Sequence, residues 1–153
     1  MRAVADQLLF RRAMIIDNVR TEAEIAATFD VLRQLRPHLT RDSFVPVVRS
    51  LMASDFYRLA SLMDEGAVRA VAGYRIMNML YCRLLYVDDL VTDERVRSRG
   101  YGTQMMRWLI EQARREGCAE LQLISRVERE QAHRFYYRAG LGIECFHFRI
   151  KLT

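Results

Sequence analysis

Arg97-Ser98-Arg99-Gly100-Tyr101-Gly102-Thr103 is the stretch from which the fold can be argued. It follows an apolar, strand-like run at 84–92 and precedes an amphipathic helix that begins near Gly100. Two closely spaced glycines let the backbone approach a ligand without an intervening Cβ, and the first amides of the following helix have no partner within it. Together with the flanking arginines, this loop is suited to an anion, and a pyrophosphate is the kind of group that it can hold.

Two common phosphate-binding loops are excluded by the residues themselves. The loop of nucleotide-hydrolysing proteins needs Lys and then Ser or Thr directly after its second glycine, whereas Thr103 and Gln104 follow Gly102. A dinucleotide-binding turn needs a third glycine where this chain has Met105. The pyrophosphate ligand must therefore be identified from the rest of the chain.

Length and composition predict one domain spanning residues 1–153. About half of the 153 residues are apolar, enough to bury a core without disulfides. No apolar run approaches the roughly 20 residues of a membrane span, and the start lacks the apolar centre of a signal peptide, so we expect a cytoplasmic protein with no membrane contact. Cys82, Cys118 and Cys145 follow no metal-ligand spacing, which predicts reduced structural cysteines and no metal.

The net charge of +5 comes almost entirely from arginine, and Lys151 is the only lysine. The arginines are spread along the chain beside many acidic residues, with no basic arm and no aromatic and basic stacking platform. A mixed-charge surface is therefore favoured over a nucleic-acid footprint.

Hydrophobic periodicity and capping residues predict a mixed α/β fold. The predicted order is β-α-α-β-β-β-α-β-α-β, and an extra helix is expected at 2–12. The predicted elements are a strand at 13–16, helices at 21–36 and from Thr40, a hairpin of 56–63 and 67–77, a strand at 84–92, a helix at 100–117, a strand at 119–125, a helix at 129–139 and an alternating strand at 143–152.

Tyr136 shares one stripe of the helix at 129–139 with Phe135 and two alanines, Ala132 and Ala139. Taken alone, this position predicts a core tyrosine whose hydroxyl finds a polar partner.

Residues 90–102, together with 132–141, resemble the GNAT superfamily of N-acetyltransferases. The loop pattern of that family is Arg or Gln, two residues, Gly, one residue, and Gly or Ala, which Arg97, Gly100 and Gly102 fill. The resemblance covers most of the chain, and the predicted element order agrees with it. It implies a central, mostly antiparallel sheet that is splayed between strands four and five, with acetyl-CoA as the pyrophosphate ligand.

The resemblance also implies roles for individual residues. The backbone of Leu90, Val91 and Thr92 would pair with the pantetheine arm like an extra strand. Tyr136 would act as general acid and protonate the departing thiolate. The pyrophosphate would be held by Arg97, Ser98, Arg99, Gly100, Tyr101, Gly102 and Thr103.

The general base is sought among carboxylates beside the expected acetyl position. Strand alternation places Asp88 and Asp89 on opposite faces, so at most one of them points into the cleft. Asp89 is preferred, and a surface carboxylate at the strand end is the alternative. His133 lies one turn before Tyr136, where an exposed helix histidine is favoured over a catalytic one.

These observations predict an acetyl-CoA-dependent N-acetyltransferase that acts by direct attack of a primary amine, most simply that of a small molecule. A protein or peptide acceptor and a non-catalytic acyl-CoA-binding regulatory module are the alternatives. Ile124 and Arg126 depart from the residues expected near the end of strand five in small-molecule enzymes, which leaves the acceptor open. Many family members dimerise, so for the oligomeric state a homodimer is considered beside a monomer.

Overall fold

A computed structural model describes residues 14–152 of the chain. The helix expected at 2–12 lies outside the described residues. The elements are β1 (Ile15–Asn18), α1 (Glu22–Ala27), α2 (Phe29–Leu35), α3 (Arg41–Ser54), β2 (Arg58–Asp64), β3 (Ala67–Asn78), β4 (Arg83–Thr92), a 3-10 turn (Glu94–Val96), α4 (Tyr101–Arg115), β5 (Glu120–Leu123) and α5 (Glu130–Arg138).

The five strands form one sheet in the order β1-β2-β3-β4-β5. The first four are antiparallel to their neighbours, whereas β5 is parallel to β4. This parallel pairing runs only along 84–87 and 120–123, so β4 continues past Val87 without β5 beside it. The mixed α/β fold and the expected splay between strands four and five are therefore confirmed.

Helices cover both faces of the sheet because alternate strand residues point to opposite sides. On one face, Ile25, Phe29 and Phe44 of the first three helices pack with Leu59 and Val71 of the sheet. On the other face, the predicted apolar stripe of α4 is buried against β2, β3 and β4 through Met105, Leu109 and Ala113.

The helix predicted at 21–36 is divided into two. Thr21 caps α1 with the reciprocal Glu24 contact that the sequence predicts. The chain then turns at Thr28, whose buried hydroxyl donates to the carbonyl of Ile25 over 2.7 Å. A side-chain bond to a carbonyl three residues earlier competes with the regular helical pattern, which explains the interruption.

The predicted strand at 143–152 is not formed. This segment has no regular secondary structure, and its apolar side chains are exposed, for example Phe148 at 91%. Alternation specifies which residues share a face, but a strand also needs a partner for its backbone, and no strand among residues 14–152 provides one.

None of the helices within residues 14–152 is both long and apolar enough to cross a membrane.

Candidate active site

The glycine loop and the start of α4 form a cradle with positive character. Gly100 has φ of 84°, a conformation that favours glycine, and caps α4. The first bond within the helix runs from the amide of Gln104 to the carbonyl of Gly100, so the amides at 101–103 precede the helical pattern. No acidic residue lies in the first turn of α4, and Arg97 and Arg99 are exposed beside it. An anion would meet free amides, the positive end of the helix and two guanidinium groups.

Gly102 lies where β4, α4 and α5 converge. A Cβ at this position would lie 3.2 Å from the hydroxyl oxygen of Thr92 and 3.5 Å from the ring of Phe135. The second glycine of the loop therefore lies in close packing, and the three stretches that the sequence singled out lie together. The same contact places α5, and with it Tyr136, beside the open end of β4.

Asp93 anchors the loop and was missed by the sequence reasoning. Its side chain is fully buried and accepts bonds from Arg95, one of 2.8 Å, and from the amide nitrogen of Gln34 at 3.2 Å. Gln34 in turn accepts a bond from the backbone N–H of Glu94 over 2.9 Å. The hydrogen bonds from Arg95 lower the pKa of Asp93 to about 2. Asp93 begins the short 3-10 turn, and a capping Asp before Glu-Arg is the signal that was available.

Strand β4 carries a β-bulge at the expected acetyl position. Gly73 pairs with Asp89 and Tyr74 pairs with Val87, so Asp88 is an additional residue on β4 with no partner on β3. The bulge shifts the alternation by one residue. The expectation that Asp88 and Asp89 point to opposite faces is therefore wrong, because strict alternation holds only for a regular strand.

Both carboxylates belong to one network of charged and aromatic side chains. Asp89 accepts bonds from Arg36 at 2.7 Å and from the hydroxyl of Tyr57 at 3.1 Å. Asp88 accepts a 2.9 Å bond from Arg75, whose guanidinium lies 5.6 Å from the centre of the Tyr57 ring. The network therefore joins the end of α2, the residue before β2, and strands β3 and β4 on one side of the sheet.

Burial dominates the acid-base properties of this network. It raises the pKa of Asp88 despite the opposing effect of Arg75. Burial and the neighbouring Asp89 also raise the pKa of Tyr57 far above its usual value, so this hydroxyl stays protonated and acts as a donor to Asp89. Arg36 is the residue that ends α2. Tyr57 and Arg75 carried no sequence signal because their proximity to β4 depends on the sheet pairing.

Tyr136 is half-buried on α5, with its ring packed edge-on against Phe135 at 5.5 Å. Burial raises the pKa of its hydroxyl, with a smaller opposing effect from Arg129, so the hydroxyl carries its proton at neutral pH. His133 is half-buried, and its ring nitrogen lies 2.9 Å from the carbonyl oxygen of Arg126, a local contact that fits a structural histidine.

Comparison with known proteins identifies relatives of this chain. A 131-residue match, 29% identical and covering 84% of this chain and 92% of the relative, is to the uncharacterized N-acetyltransferase YhdJ of Bacillus subtilis (strain 168). A 62-residue stretch, 40% of each chain, is 34% identical to the aminoalkylphosphonate N-acetyltransferase of Salmonella typhimurium (strain LT2). The solved structure of an aminoglycoside N-acetyltransferase, AAC(6')-Iy, in complex with CoA superposes with a TM-score of 0.77 at 16% identity, covering 95% of this chain and all of the other.

Residues 26–141, most of the chain, match the Acetyltransferase (GNAT) family. The chain therefore belongs to the GNAT family and is an N-acetyltransferase.

Proposed function

We propose that the protein transfers the acetyl group of acetyl-CoA to the primary amine of a small molecule by direct attack. The observation that carries this proposal is the convergence at Gly102, where the end of β4, the first amides of α4 and the helix bearing Tyr136 lie within contact distance. In this proposal α4 binds the pyrophosphate, β4 binds the pantetheine arm, and the helix bearing Tyr136 supplies a proton.

The cradle at the start of α4 fits the pyrophosphate of acetyl-CoA. The amides of Tyr101, Gly102 and Thr103 would donate to the phosphate oxygens, and Arg97 and Arg99 would neutralise their charge. Gly100 and Ser98 complete the loop, and both have positive φ, which bends the backbone around the anion. The complex of the structural relative with CoA supports this assignment.

The splay of the sheet suits the pantetheine arm. Beyond Val87 the β5 side of β4 has no partner strand among the described residues, so the backbone groups of Leu90, Val91 and Thr92 are available to an extended ligand. Pairing there would direct the thioester toward the bulge at Asp88.

The chemistry needs one proton accepted and one supplied. The neutral amine attacks the thioester carbonyl, the new C–N bond forms, and the C–S bond breaks as the tetrahedral intermediate collapses. We assign the proton lost by the amine to Asp89, directly or through water, and the proton gained by sulfur to Tyr136. The raised pKa of Tyr136 supports this role because the group must hold its proton until sulfur departs.

A small amine is favoured as acceptor by two observations. Asp88 and Asp89 lie together on one side of the sheet, where carboxylate oxygens can accept hydrogen bonds from the neutral amine and orient it. An aminoalkylphosphonate enzyme and an aminoglycoside enzyme are among the relatives, and both names describe small amines.

The test is incubation of acetyl-CoA with a panel of amines. Acetyl transfer is measured by the free thiol of CoA that it releases. The panel contains aminoglycosides, aminoalkylphosphonates, simple primary amines and peptides with free N-termini. We expect turnover with a small amine, and the Tyr136→Phe variant should lower kcat by about 100-fold while the Kd of CoA changes little.

Tyr137→Phe serves as the matched control, since Tyr137 is the adjacent, exposed tyrosine of α5. Turnover with peptides alone would indicate a protein or peptide acceptor instead of a small molecule. An unchanged kcat in the Tyr136→Phe variant would show that Tyr136 is not the general acid.

A further inference from the structure

We propose that Tyr57 is a positioning residue, whose hydroxyl holds the Asp89 carboxylate ready to accept a proton from the amine; this role rests on the proposed function of Asp89 as the base. Tyr57 lies directly before β2, 32 residues from Asp89 in the chain. It acts through Asp89 and needs no contact of its own with the substrate.

The Asp89 carboxylate is held through both of its oxygens by groups from two different parts of the chain. Oδ2 accepts a 3.1 Å hydrogen bond from the hydroxyl of Tyr57, and Oδ1 accepts a 2.7 Å bond from Nε of Arg36. Two such bonds oppose rotation of the carboxylate about its Cβ–Cγ bond. Each oxygen keeps a free lone pair, with which it can accept a proton from an amine or from a bridging water.

The two groups that hold Asp89 differ in how firmly they are fixed. The Arg36 side chain is 47% exposed, and ion pairs made by such exposed side chains contribute little. Tyr57 is only 5% exposed and belongs to the core between the sheet and the first three helices. The guanidinium of Arg75 also lies 5.6 Å from the centre of its ring and is itself bonded to Asp88. Tyr57 is therefore the rigid anchor of the carboxylate.

Gly73 provides the space in which the Tyr57 hydroxyl lies. A Cβ at Gly73 would lie 1.9 Å from this hydroxyl oxygen and 2.5 Å from the ring carbon that bears it, so the present position of the hydroxyl depends on the missing side chain. Gly73 is also the residue of β3 that pairs with Asp89. Glycine weakens a strand interior and often marks a close approach of other groups. Here the close approach is that of Tyr57 to the register position of Asp89.

Core packing alone does not account for the hydroxyl of Tyr57. A phenylalanine would fill the same position without a buried polar atom that needs a partner. The hydroxyl donates to a carboxylate beside the bulge of β4, at the expected acetyl position. Burial and the neighbouring Asp89 raise the pKa of Tyr57 well above its usual value, so Tyr57 remains a donor and does not itself take the proton of the amine.

The backbone directly before Tyr57 adopts an unfavourable conformation. Phe56 has a φ of 55°, which is uncommon for a residue other than glycine, and its side chain is 78% exposed. The amide of Tyr57 donates to the carbonyl of Leu51 near the end of α3 over 3.3 Å. The turn from α3 into β2 thus directs the ring of Tyr57 into the core while Phe56 stays in solvent.

Removal of the hydroxyl alone tests the positioning role. Tyr57→Phe keeps the ring in the core, and we expect kcat for the amine identified by the panel to fall by about tenfold, with the KM of acetyl-CoA changed by less than about twofold. Tyr74→Phe is the matched control, since Tyr74 is also buried and donates its hydroxyl to a side-chain oxygen, that of Asn18, over 2.8 Å. Equal kcat values for the two variants would contradict the positioning role.

A double-mutant cycle with Asp89 separates a positioning role from a structural one. Asp89→Ala removes the base itself, and we expect kcat to fall by about 100-fold. Adding Tyr57→Phe to Asp89→Ala should lower kcat no further, whereas a purely structural tyrosine would lower it by the same factor in both backgrounds.

The cycle also distinguishes failure of the positioning role from failure of the proposed function. A slow Asp89→Ala variant beside an unaffected Tyr57→Phe variant would refute the positioning role and leave the base in place. An unchanged kcat in Asp89→Ala would refute the assignment of the base, and the role of Tyr57 with it.

Crystal structures of the wild-type protein and of Tyr57→Phe give a test that needs no acceptor. We expect a single orientation of the Asp89 carboxylate in the wild type. In the variant the carboxylate should rotate or occupy two orientations, while the backbone of β4 stays in place. The same single orientation in both proteins would overturn the positioning role.

Discussion

At the scale of single residues, the site depends on side chains whose role is set by burial. Asp93 is fully buried beneath the loop although the chemistry does not need it, and it connects Arg95 and Gln34 to the turn that precedes Arg97. Gly102 is confined by Thr92 and Phe135. Both residues position the cradle, and we expect neither of them to contact the reacting atoms.

Replacement of Asp93 by Asn should destabilise the fold in a pH-dependent way. The variant keeps the shape but loses the charge that Arg95 faces, so we expect the free energy of unfolding at pH 7 to fall by roughly 2 kcal/mol. Because the pKa of Asp93 is lowered from 3.8 to about 2, its stabilisation is complete above pH 3.8 and is lost as the pH falls through 2.

Urea unfolding of both proteins between pH 2 and 7 measures this difference, which should shrink across the acidic window. Asp30→Asn is the control, since Asp30 pairs with Arg41 at an exposed site where ion pairs contribute little. A difference that stays constant down to pH 2 would show that the carboxylate charge of Asp93 is not responsible.

Replacement of Gly102 by Ala should weaken CoA binding more than it affects stability. Alanine favours the helix by up to about 1 kcal/mol over glycine, which offsets part of the crowding against Thr92. If the start of α4 shifts to relieve the 3.2 Å contact with the Thr92 side chain, its amides are displaced, and we expect the Kd of CoA to rise by about tenfold.

Calorimetric titration with CoA provides the measurement for Gly102→Ala. Gly142→Ala is the matched control because its added Cβ meets nothing within 4 Å. Equal affinities in the two variants would show that the crowding is absorbed without displacing the amides.

At the scale of elements, two interruptions of regular structure build the site. The bulge in β4 brings Asp88 and Asp89 into one network, and the early end of the β4–β5 pairing at Val87 and Leu123 leaves the edge of β4 open. The start of α4 then supplies amides and a positive helix end to the same region.

The arginines at the start of α4 should contribute to CoA affinity according to their position along the helix. Arg97→Gln and Arg99→Gln each remove one charge beside the first turn, and we expect each to raise the Kd of CoA by roughly three- to tenfold at low salt. Arg114→Gln removes the same charge at the opposite end of α4 and should change the Kd little. Equal effects at both ends would indicate attraction by net charge and would contradict a pyrophosphate site at the loop.

At the scale of the whole molecule, two features are left open by residues 14–152: the β5 edge and the apolar strip of the C-terminal segment. The strand β5 is the last of the sheet, and Phe146, Phe148, Ile150 and Leu152 of the segment are 81–91% exposed.

Much of the fold follows from local patterns in the sequence. The capping box at Thr21, the hairpin around Gly66 and the stripe of α4 are short-range signals, and the elements that they predict are present. The glycine loop could likewise be located because glycine and arginine spacing reflects backbone conformation and local charge. Resemblance to a known family then connected the loop with Tyr136.

Contacts between distant segments were decided only by the tertiary structure. The pairing of Asp89 with Tyr57 and Arg36, the burial of Asp93 over Gln34 and the bulge that turns Asp88 depend on strand register and helix placement. The alternation at 146–152 predicted a strand, but a strand also needs a backbone partner, and within residues 14–152 this segment pairs with none. Periodicity and spacing therefore determined most of the elements and which loop suits an anion. Packing across the sheet decided which charged groups meet, because those contacts bring together residues far apart in the chain.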